Sequence, residues 1–342
     1  MAAKKDRYNI AVLGAGSWGI TLAKLLYEKG NRVSLWEYSS SQSRKLDKER
    51  SFPPLGNYII PKGIKITSSL GQSLNSSDYA LLVVPSSALS STCLEIQKLK
   101  KVVPPVIISA VKGFDYESLK SPTQMLRAHL GKRFHLSVLS GPSHAEEVIK
   151  KAPTAVVSAS SNIETAAEVQ KLFSTDYFRV YTSADVRGVE LGGALKNVIA
   201  IASGITRGLG MGDNTRAALI TRGNNEIKSI GIKMGARQVT FNGLSGIGDL
   251  IVTCFSEHSR NYRFGKYLGE GKSFEEAKKK VFTTVEGADT VKSCIKLSSR
   301  YRVPMPLCEA VYEILYKGKD PAAATRELMT RPLKREYMEN GG

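Results

Sequence analysis

Gly14-Ala15-Gly16-Ser17-Trp18-Gly19 stands between an apolar run, Tyr8 to Leu13, and a helix-length amphipathic stretch, Trp18 to Lys29. Three glycines in that setting restrict the chain more than any other feature of its sequence. The first permits a tight turn out of the strand, the second lets backbone come close to a ligand, and the third lets the helix lie against the strand. The unpaired N–H groups at such a helix start favour an anion. Strand, glycine motif, helix and a second apolar strand, Arg32 to Trp36, follow in the order of a unit that binds a dinucleotide through its pyrophosphate. Glu37 closes that second strand roughly 20 residues beyond the glycines, where an acidic side chain hydrogen-bonds an adenosine ribose 2′-hydroxyl. A carboxylate there repels a 2′-phosphate and favours NAD over NADP, whereas Arg44, close in sequence, offers a cation that offsets the repulsion. Read as a solvated strand end, Glu37 would have neither effect.

Strand and helix patterns alternate as far as Ser183. Strands are expected at Tyr8–Leu13, Arg32–Trp36, Ile64–Thr67, Tyr79–Val84, Val106–Ala110, Leu136–Leu139 and Ala155–Ser158. Their near-continuous apolar character predicts a parallel sheet covered on both faces. Pro53, Pro54, Gly56, Pro61 and Gly63 mark a surface connection, as does the Pro-Pro within Val103 to Val106. Beyond Ser183 the period becomes helical, through Asp185–Thr206, Asn214–Lys233, Tyr262–Leu268, Ser273–Lys280, Thr290–Ser299 and Leu307–Tyr316. The expected fold is therefore α/β, with a doubly wound Rossmann-type domain over residues 1–184 and a mostly α-helical domain over 185–342. A chain of 342 residues suits two domains, and 42% hydrophobic with 23% charged residues is an ordinary globular composition.

The 49 Lys and Arg against 31 Asp and Glu leave a net charge of +18, which favours anionic ligands without naming one. No nucleic-acid module or basic–aromatic stripe accompanies the charge, so no nucleic-acid partner is expected. Cys93, Cys254, Cys294 and Cys308 are widely spaced, which argues against a disulfide framework or a metal site and for a reducing compartment, the cytoplasm. Apolar stretches such as Ala80 to Val84 and Val198 to Ala202 fall far short of the roughly 20 residues of a membrane helix. Lys4, Lys5 and Arg7 precede a run broken at once by Gly14 and Gly16, unlike a leader. No integral membrane contact is expected.

Several further segments carry candidate chemistry. Lys112 immediately follows an apolar strand, and ligands of open parallel sheets gather at the carboxyl ends of strands. The turn Ser140-Gly141-Pro142-Ser143-His144-Ala145-Glu146 also follows a strand, and a lone His in a turn is more often structural than catalytic. Leu191, Leu195, Val198, Ala202 and Ile205 form a core-facing helical stripe from which Lys196 is displaced. The Lys196 face holds Gly192, Gly193, Ala200, Ser203 and Gly204, all tiny. Two glycines inside a helix cost about 1 kcal/mol each against alanine, so something requires close approach there. One reading is a ligand clamped against a bare face, with burial and a second cation such as Lys112 lowering the Lys196 pKa. The other is tight helix packing beside an incidental lysine. Asp249 enters a helix from a glycine-rich turn, where capping is the plain reading. Ser259-Arg260-Asn261 joins a capping hydroxyl, a guanidinium and an amide at a helix start, good chemistry for a phosphate. Glu286 offers a carboxylate for which the sequence gives no independent role.

These segments resemble the bacterial NAD(P)-dependent sn-glycerol-3-phosphate dehydrogenase family from Ile10 to about Tyr316. The matching motifs are GAGSWG from Gly14, SAVKG around Lys112, LSGPSHAEE from Leu139, VELGGALKN from Val189, GDNTRAALITRG from Gly212, GLSGIGDL from Gly243, HSRNYRFG from His258 and VEG from Val285. The resemblance implies reversible reduction of dihydroxyacetone phosphate by NAD(H) or NADP(H) to sn-glycerol 3-phosphate, which feeds glycerophospholipid synthesis. It implies Lys196 as general acid and base, Lys112 as the residue that binds and polarises substrate, and Asp249 as the partner that orients Lys196. Gly141, Ser143, Ser259, Arg260 and Asn261 would contact glycerol phosphate, with Arg260 also near the cofactor. Ser17, Trp18, Lys112, Ala145 and Glu286 would line the dinucleotide beside Gly14, Gly16 and Gly19, so that Lys112 meets cofactor as well as substrate. The chain departs from many relatives at Glu37-Tyr38-Ser39, where a basic residue or His is usual, and Tyr38 is placed to stack on adenine. The alternatives are another two-domain dehydrogenase of a hydroxy acid or ketoacid, and a non-catalytic nucleotide- or nucleic-acid-binding protein. A helical second half with apolar stripes makes a homodimer the expected assembly.

Overall fold

In the first strand, Ile10 and Val12 are buried against one layer of helices and Ala11 and Leu13 against the other. The same alternation recurs where Tyr79 and Leu81 face one layer and Ala80 and Leu82 the opposite one. Strands buried on both faces give continuous apolar runs, and such strands form the middle of a three-layer α/β/α sandwich. The computed structural model describes residues 7–99, 104–281, 284–333 and 335–336. Lys4, Lys5 and Val103, named above, lie outside them.

The strands are β1 (Asn9–Leu13), β2 (Arg32–Trp36), β3 (Lys65–Thr67), β4 (Tyr79–Leu82), β5 (Val106–Ser109), β6 (His135–Ser140), β7 (Thr154–Ala159) and β8 (Phe178–Ser183). They form one sheet in the order β3-β2-β1-β4-β5-β6-β7-β8. Two features differ from expectation. The sheet is not wholly parallel, because β7 pairs antiparallel with β6. Gly141, at φ +148°, turns the chain sharply after β6, and an added Cβ there would meet the Val156 Cα at 2.9 Å. The connection 141–153 then holds only the one-turn helix Ala145–Val148, in place of the full helix by which a crossover to a parallel neighbour is usually made. The second difference is β8, absent from the sequence reading. It is an edge strand that buries Phe178 and Val180 and exposes Arg179 and Tyr181, so it lacks the apolar run by which the inner strands are recognised.

After Ser183 the chain is helical. The expected helices appear with ends shifted by at most four residues, and Pro321–Met329 is an additional one. Helix Val186–Gly208 is the axis of this half, packed by Asp213–Lys233, Asp249–Phe255, Arg260–Gly269 and Glu286–Tyr301. With 23 residues it is long and apolar enough to cross a membrane, which the shorter apolar stretches did not suggest, but its apolar window lies wholly inside the protein. Its glycines admit neighbouring backbone. A Cβ at Gly204 would lie 2.0 Å from the Tyr262 carbonyl oxygen, and one at Gly265 would lie 2.0 Å from that of Ile201. Gly192 is pressed by the Ser245 carbonyl and Gly193 by the Ser140 hydroxyl. The expected bare face is therefore covered, and the small residues serve close packing. Phe114 and Leu119, from the sheet half of the sequence, join the core of the helical half.

Candidate active site

The glycine turn leaves β1 at the carboxyl edge of the sheet. Gly14 sits at φ +118°, and a Cβ there would meet the Val83 carbonyl oxygen at 2.8 Å. A Cβ on Gly19 would meet the Gly14 carbonyl oxygen at 1.8 Å, whereas around Gly16 nothing lies within 4 Å. Turn, open approach and close packing thus fall on the three glycines in the order the motif requires. No side chain caps helix Ser17–Glu28, which leaves its first-turn amides for an anion. The residues fit a dinucleotide pyrophosphate. The Trp18 ring packs towards Phe178, with centroids 6.4 Å apart, and the Ala145 carbonyl lies 3.5 Å from the Thr21 hydroxyl of the same helix. At the end of β2, Glu37 Oε1 accepts the Ser39 N–H at 3.0 Å, and Tyr38 is 72% exposed.

Lys112 follows β5, two strands away on the same edge, and its Nζ donates to Asp249 Oδ2 at 2.9 Å and to the Gly141 carbonyl at 3.3 Å. The Ser143 hydroxyl donates to that same carbonyl at 2.9 Å. Lys196 Nζ is bonded to the other oxygen, Asp249 Oδ1, and donates to Thr253 Oγ1 at 2.8 Å. Asp249 opens helix Asp249–Phe255 after a wide π turn, Leu244–Gly248. Its side chain, 1% exposed, is taken up by the two ammonium groups, so capping does not describe it.

Burial lowers the Lys196 pKa to about 8, with the Lys112 charge acting in the same direction and Asp249 opposing both. For Asp249, burial raises the pKa, but the two lysines outweigh it and hold the carboxyl below its ordinary value. An ionised aspartate therefore lies between a lysine that exchanges its proton near neutrality and a second cation. His144 has its pKa lowered by burial and by Lys196. Its ring is 5.7 Å from that of His258, and Nε2 lies 3.4 Å from the Val252 carbonyl.

A second group of residues adjoins this one. Ser259 caps helix Arg260–Gly269 by accepting the Tyr262 N–H at 3.2 Å, which leaves Arg260 exposed on the first turn. Asn261 Oδ1 accepts the Gly287 N–H at 2.9 Å, so this amide fixes the Glu286 segment. Glu286 lies 3.4 Å from Asn197 Nδ2; burial raises its pKa, and Arg260, Lys112 and Lys196 pull it back. The fold thus joins Lys112, Lys196, Asp249, Gly141 and Ser143, links Arg260, Asn261 and Glu286 beside them, and sets Glu37 and Tyr38 apart at the end of β2. The sequence reading missed Thr253 and Asn197. Thr253 stands one helical turn after Asp249, the i, i+4 spacing that puts two side chains on one face, and Asn197 adjoins Lys196. Among the described residues no group of three or more His, Cys, Asp or Glu is placed to hold a metal ion.

Two family models match the chain: the N-terminus of NAD-dependent glycerol-3-phosphate dehydrogenase over residues 9–166, and its C-terminus over 185–326. The chain is 46% identical over 335 residues to glycerol-3-phosphate dehydrogenase [NAD(P)+] of Pelotomaculum thermopropionicum, covering 96% of this chain and 95% of that protein. It is 44% identical to the enzyme of that name from Fusobacterium nucleatum over 96% of this chain and 98% of the relative. The crystal structure of glycerol-3-phosphate dehydrogenase from Coxiella burnetii superposes with a TM-score of 0.92 at 38% identity, over 96% of this chain and 100% of that one. Both halves of the chain match, in the order in which the glycine turn and the lysine–aspartate centre occur, and the protein belongs to the NAD-dependent glycerol-3-phosphate dehydrogenase family.

Proposed function

We propose that the protein catalyses the reversible reduction of dihydroxyacetone phosphate to sn-glycerol 3-phosphate with NAD(H) or NADP(H). Residues 1–184 hold the dinucleotide and 185–342 provide most of the substrate site. The observation that carries this reading is a buried aspartate shared by two lysines, one of which emerges from the same sheet edge as the glycine turn. A reduced nicotinamide held by these residues would supply a hydride to C2 of the ketone. Lys196 gives the proton on its Nζ to the C2 oxygen and is left as a neutral amine, which takes the proton back in the oxidative direction. A pKa of about 8 suits both directions. Lys112 polarises the same oxygen, and Asp249 orients the two lysines. Arg260 and Asn261, with Ser259, Gly141 and Ser143, meet the glycerol phosphate, a dianion for which a cationic site is the natural complement. Gly14, Gly16, Ser17, Trp18 and Gly19 cradle the pyrophosphate, Glu37 and Tyr38 the adenosine, and Ala145, Arg260 and Glu286 line the rest of the dinucleotide.

NADH oxidation with dihydroxyacetone phosphate tests the reading. Lys196→Ala should lower kcat by about a hundredfold or more while NADH binding, followed by fluorescence, stays largely intact. A near-normal kcat in that variant would remove Lys196 from the reaction. We read the enzyme as cytoplasmic, a reading supported by four cysteines that are free and buried, as a reducing compartment keeps them. It is read as a homodimer through the helical half, where Val239 and Phe255 are exposed, and sedimentation at the monomer mass would refute that assembly.

A further inference from the structure

After Lys112 the segment 113–123 leaves the sheet and docks on the helical half. Phe114 is buried in the core of that half, and Leu119 packs against the same cluster. Tyr116 lies against Lys296, whose Nζ is 3.6 Å from the ring centroid and donates to the Tyr116 carbonyl at 3.1 Å. Asp115 closes the segment on itself by accepting the Ser118 N–H at 2.8 Å and hydroxyl at 2.6 Å. The far end is held by Glu190, 5% exposed. One of its oxygens accepts the Thr123 N–H at 2.8 Å; the other accepts the hydroxyls of Ser121 at 2.6 Å and Thr123 at 2.7 Å.

These donors stand at the first turn of helix Pro122–Leu130, where the helix dipole also favours a carboxylate. Burying a carboxylate is nevertheless costly, and an apolar side chain of similar size fills such a space without that cost. The placement of Glu190 supplies a reason for it. Glu190 stands on the helix that carries Lys196, and the segment it grips begins at Lys112. We infer that Glu190 is a positioning residue, which ties the crossing segment to the Lys196 helix and so holds Lys112 and Lys196 on the two oxygens of Asp249.

The inference rests on the catalytic reading of the two lysines, and its test separates the two. Glu190 faces Ser121, Thr123 and the Arg187 charge. Lys196 faces Asp249, Lys112, Thr253, His144, Cys254 and Glu286. Of these, Lys112 alone adjoins the gripped segment. Releasing the grip lets Lys112 drift, which relieves Lys196 of a neighbouring cation and raises its pKa.

Glu190→Ala should lower kcat/KM for dihydroxyacetone phosphate about tenfold, and Thr123→Val, which deletes one donor, about two- to threefold, since small misplacements of reacting groups are costly. Both should move the alkaline limb of the pH profile upward and leave the Kd for NADH within about twofold, a pattern that general loosening of the fold does not produce. Thr123→Val decides the matter if Glu190→Ala does not fold. Lys112→Ala, run alongside, should also lose kcat/KM. If it does, but the Glu190 and Thr123 variants keep the unmodified kcat/KM and limb, the inference falls alone. It falls equally if their losses are matched by a loss of NADH affinity. An unimpaired Lys112→Ala removes the catalytic reading and the inference together.

Discussion

Asp249→Asn tests the electrostatics of the site because it removes one negative charge and little volume. In the unmodified protein Asp249 opposes the burial and the Lys112 charge that lower the Lys196 pKa to about 8. At pH 7 about nine in ten Lys196 side chains then carry the proton that reduction consumes. An ion pair at contact contributes about 4 kcal/mol at an effective dielectric near 20, or roughly three pKa units. Removing it lowers the Lys196 pKa further below its ordinary value, so that only a small fraction is protonated at pH 7. If Lys196 is the acid in reduction, as proposed, activity is present below this pKa and lost above it. Lowering the pKa therefore moves the alkaline limb of kcat/KM to lower pH. The expected result for Asp249→Asn is about a hundredfold loss of kcat/KM for dihydroxyacetone phosphate at pH 7, with partial recovery towards pH 5. Initial rates of NADH oxidation at saturating NADH between about pH 5 and 9 measure it. An alkaline limb left near its original position, whatever the loss of rate, would refute the claim that the carboxylate keeps Lys196 charged.

Other consequences are open to measurement. Arg260→Ala should raise the KM for dihydroxyacetone phosphate about 10- to 100-fold, the worth of a charge-assisted contact to phosphate, and an unchanged KM would assign the phosphate to other groups. NADH should be the better cofactor, and Glu37→Ala should narrow the ratio of kcat/KM for NADH over NADPH; an unmodified enzyme that prefers NADPH would contradict the role given to Glu37. Gly265→Ala should destabilise the fold by roughly 1–3 kcal/mol, an overpacking cost, because its Cβ would lie 2.0 Å from the Ile201 carbonyl oxygen. A Tm equal to that of the unmodified protein would show that the two helices separate at no cost.

The inner strands and the glycine turn were legible in the sequence because their physics is local. A strand buried on both faces must be apolar throughout, and a backbone that bends tightly and then admits a phosphate needs glycine in fixed order. Lys112, Lys196, Asp249 and the Ser259-Arg260-Asn261 start of a helix could each be singled out, since each marks a boundary or breaks a pattern. Local pattern did not reach the direction of β7 or the edge strand β8. The first depends on how far a short connection can carry the chain, the second on having a covered neighbour on one side alone. It also left two readings open for the glycines of helix Val186–Gly208, a bare face or close packing, and the structure takes the second, since they admit the backbone of Ser245 and Tyr262.

The sequence by itself determined a strand-rich half opened by a glycine turn, a helical half and most of the residues with chemistry to offer. Tertiary structure alone decided that Lys112 and Lys196 share Asp249, that Thr253 joins them, and that Glu190 grips the segment between the halves. The physical reason is distance along the chain. A turn or a helix face is set by neighbours a few residues apart, whereas the charge state of Lys196 depends on groups that only folding brings within a few ångströms.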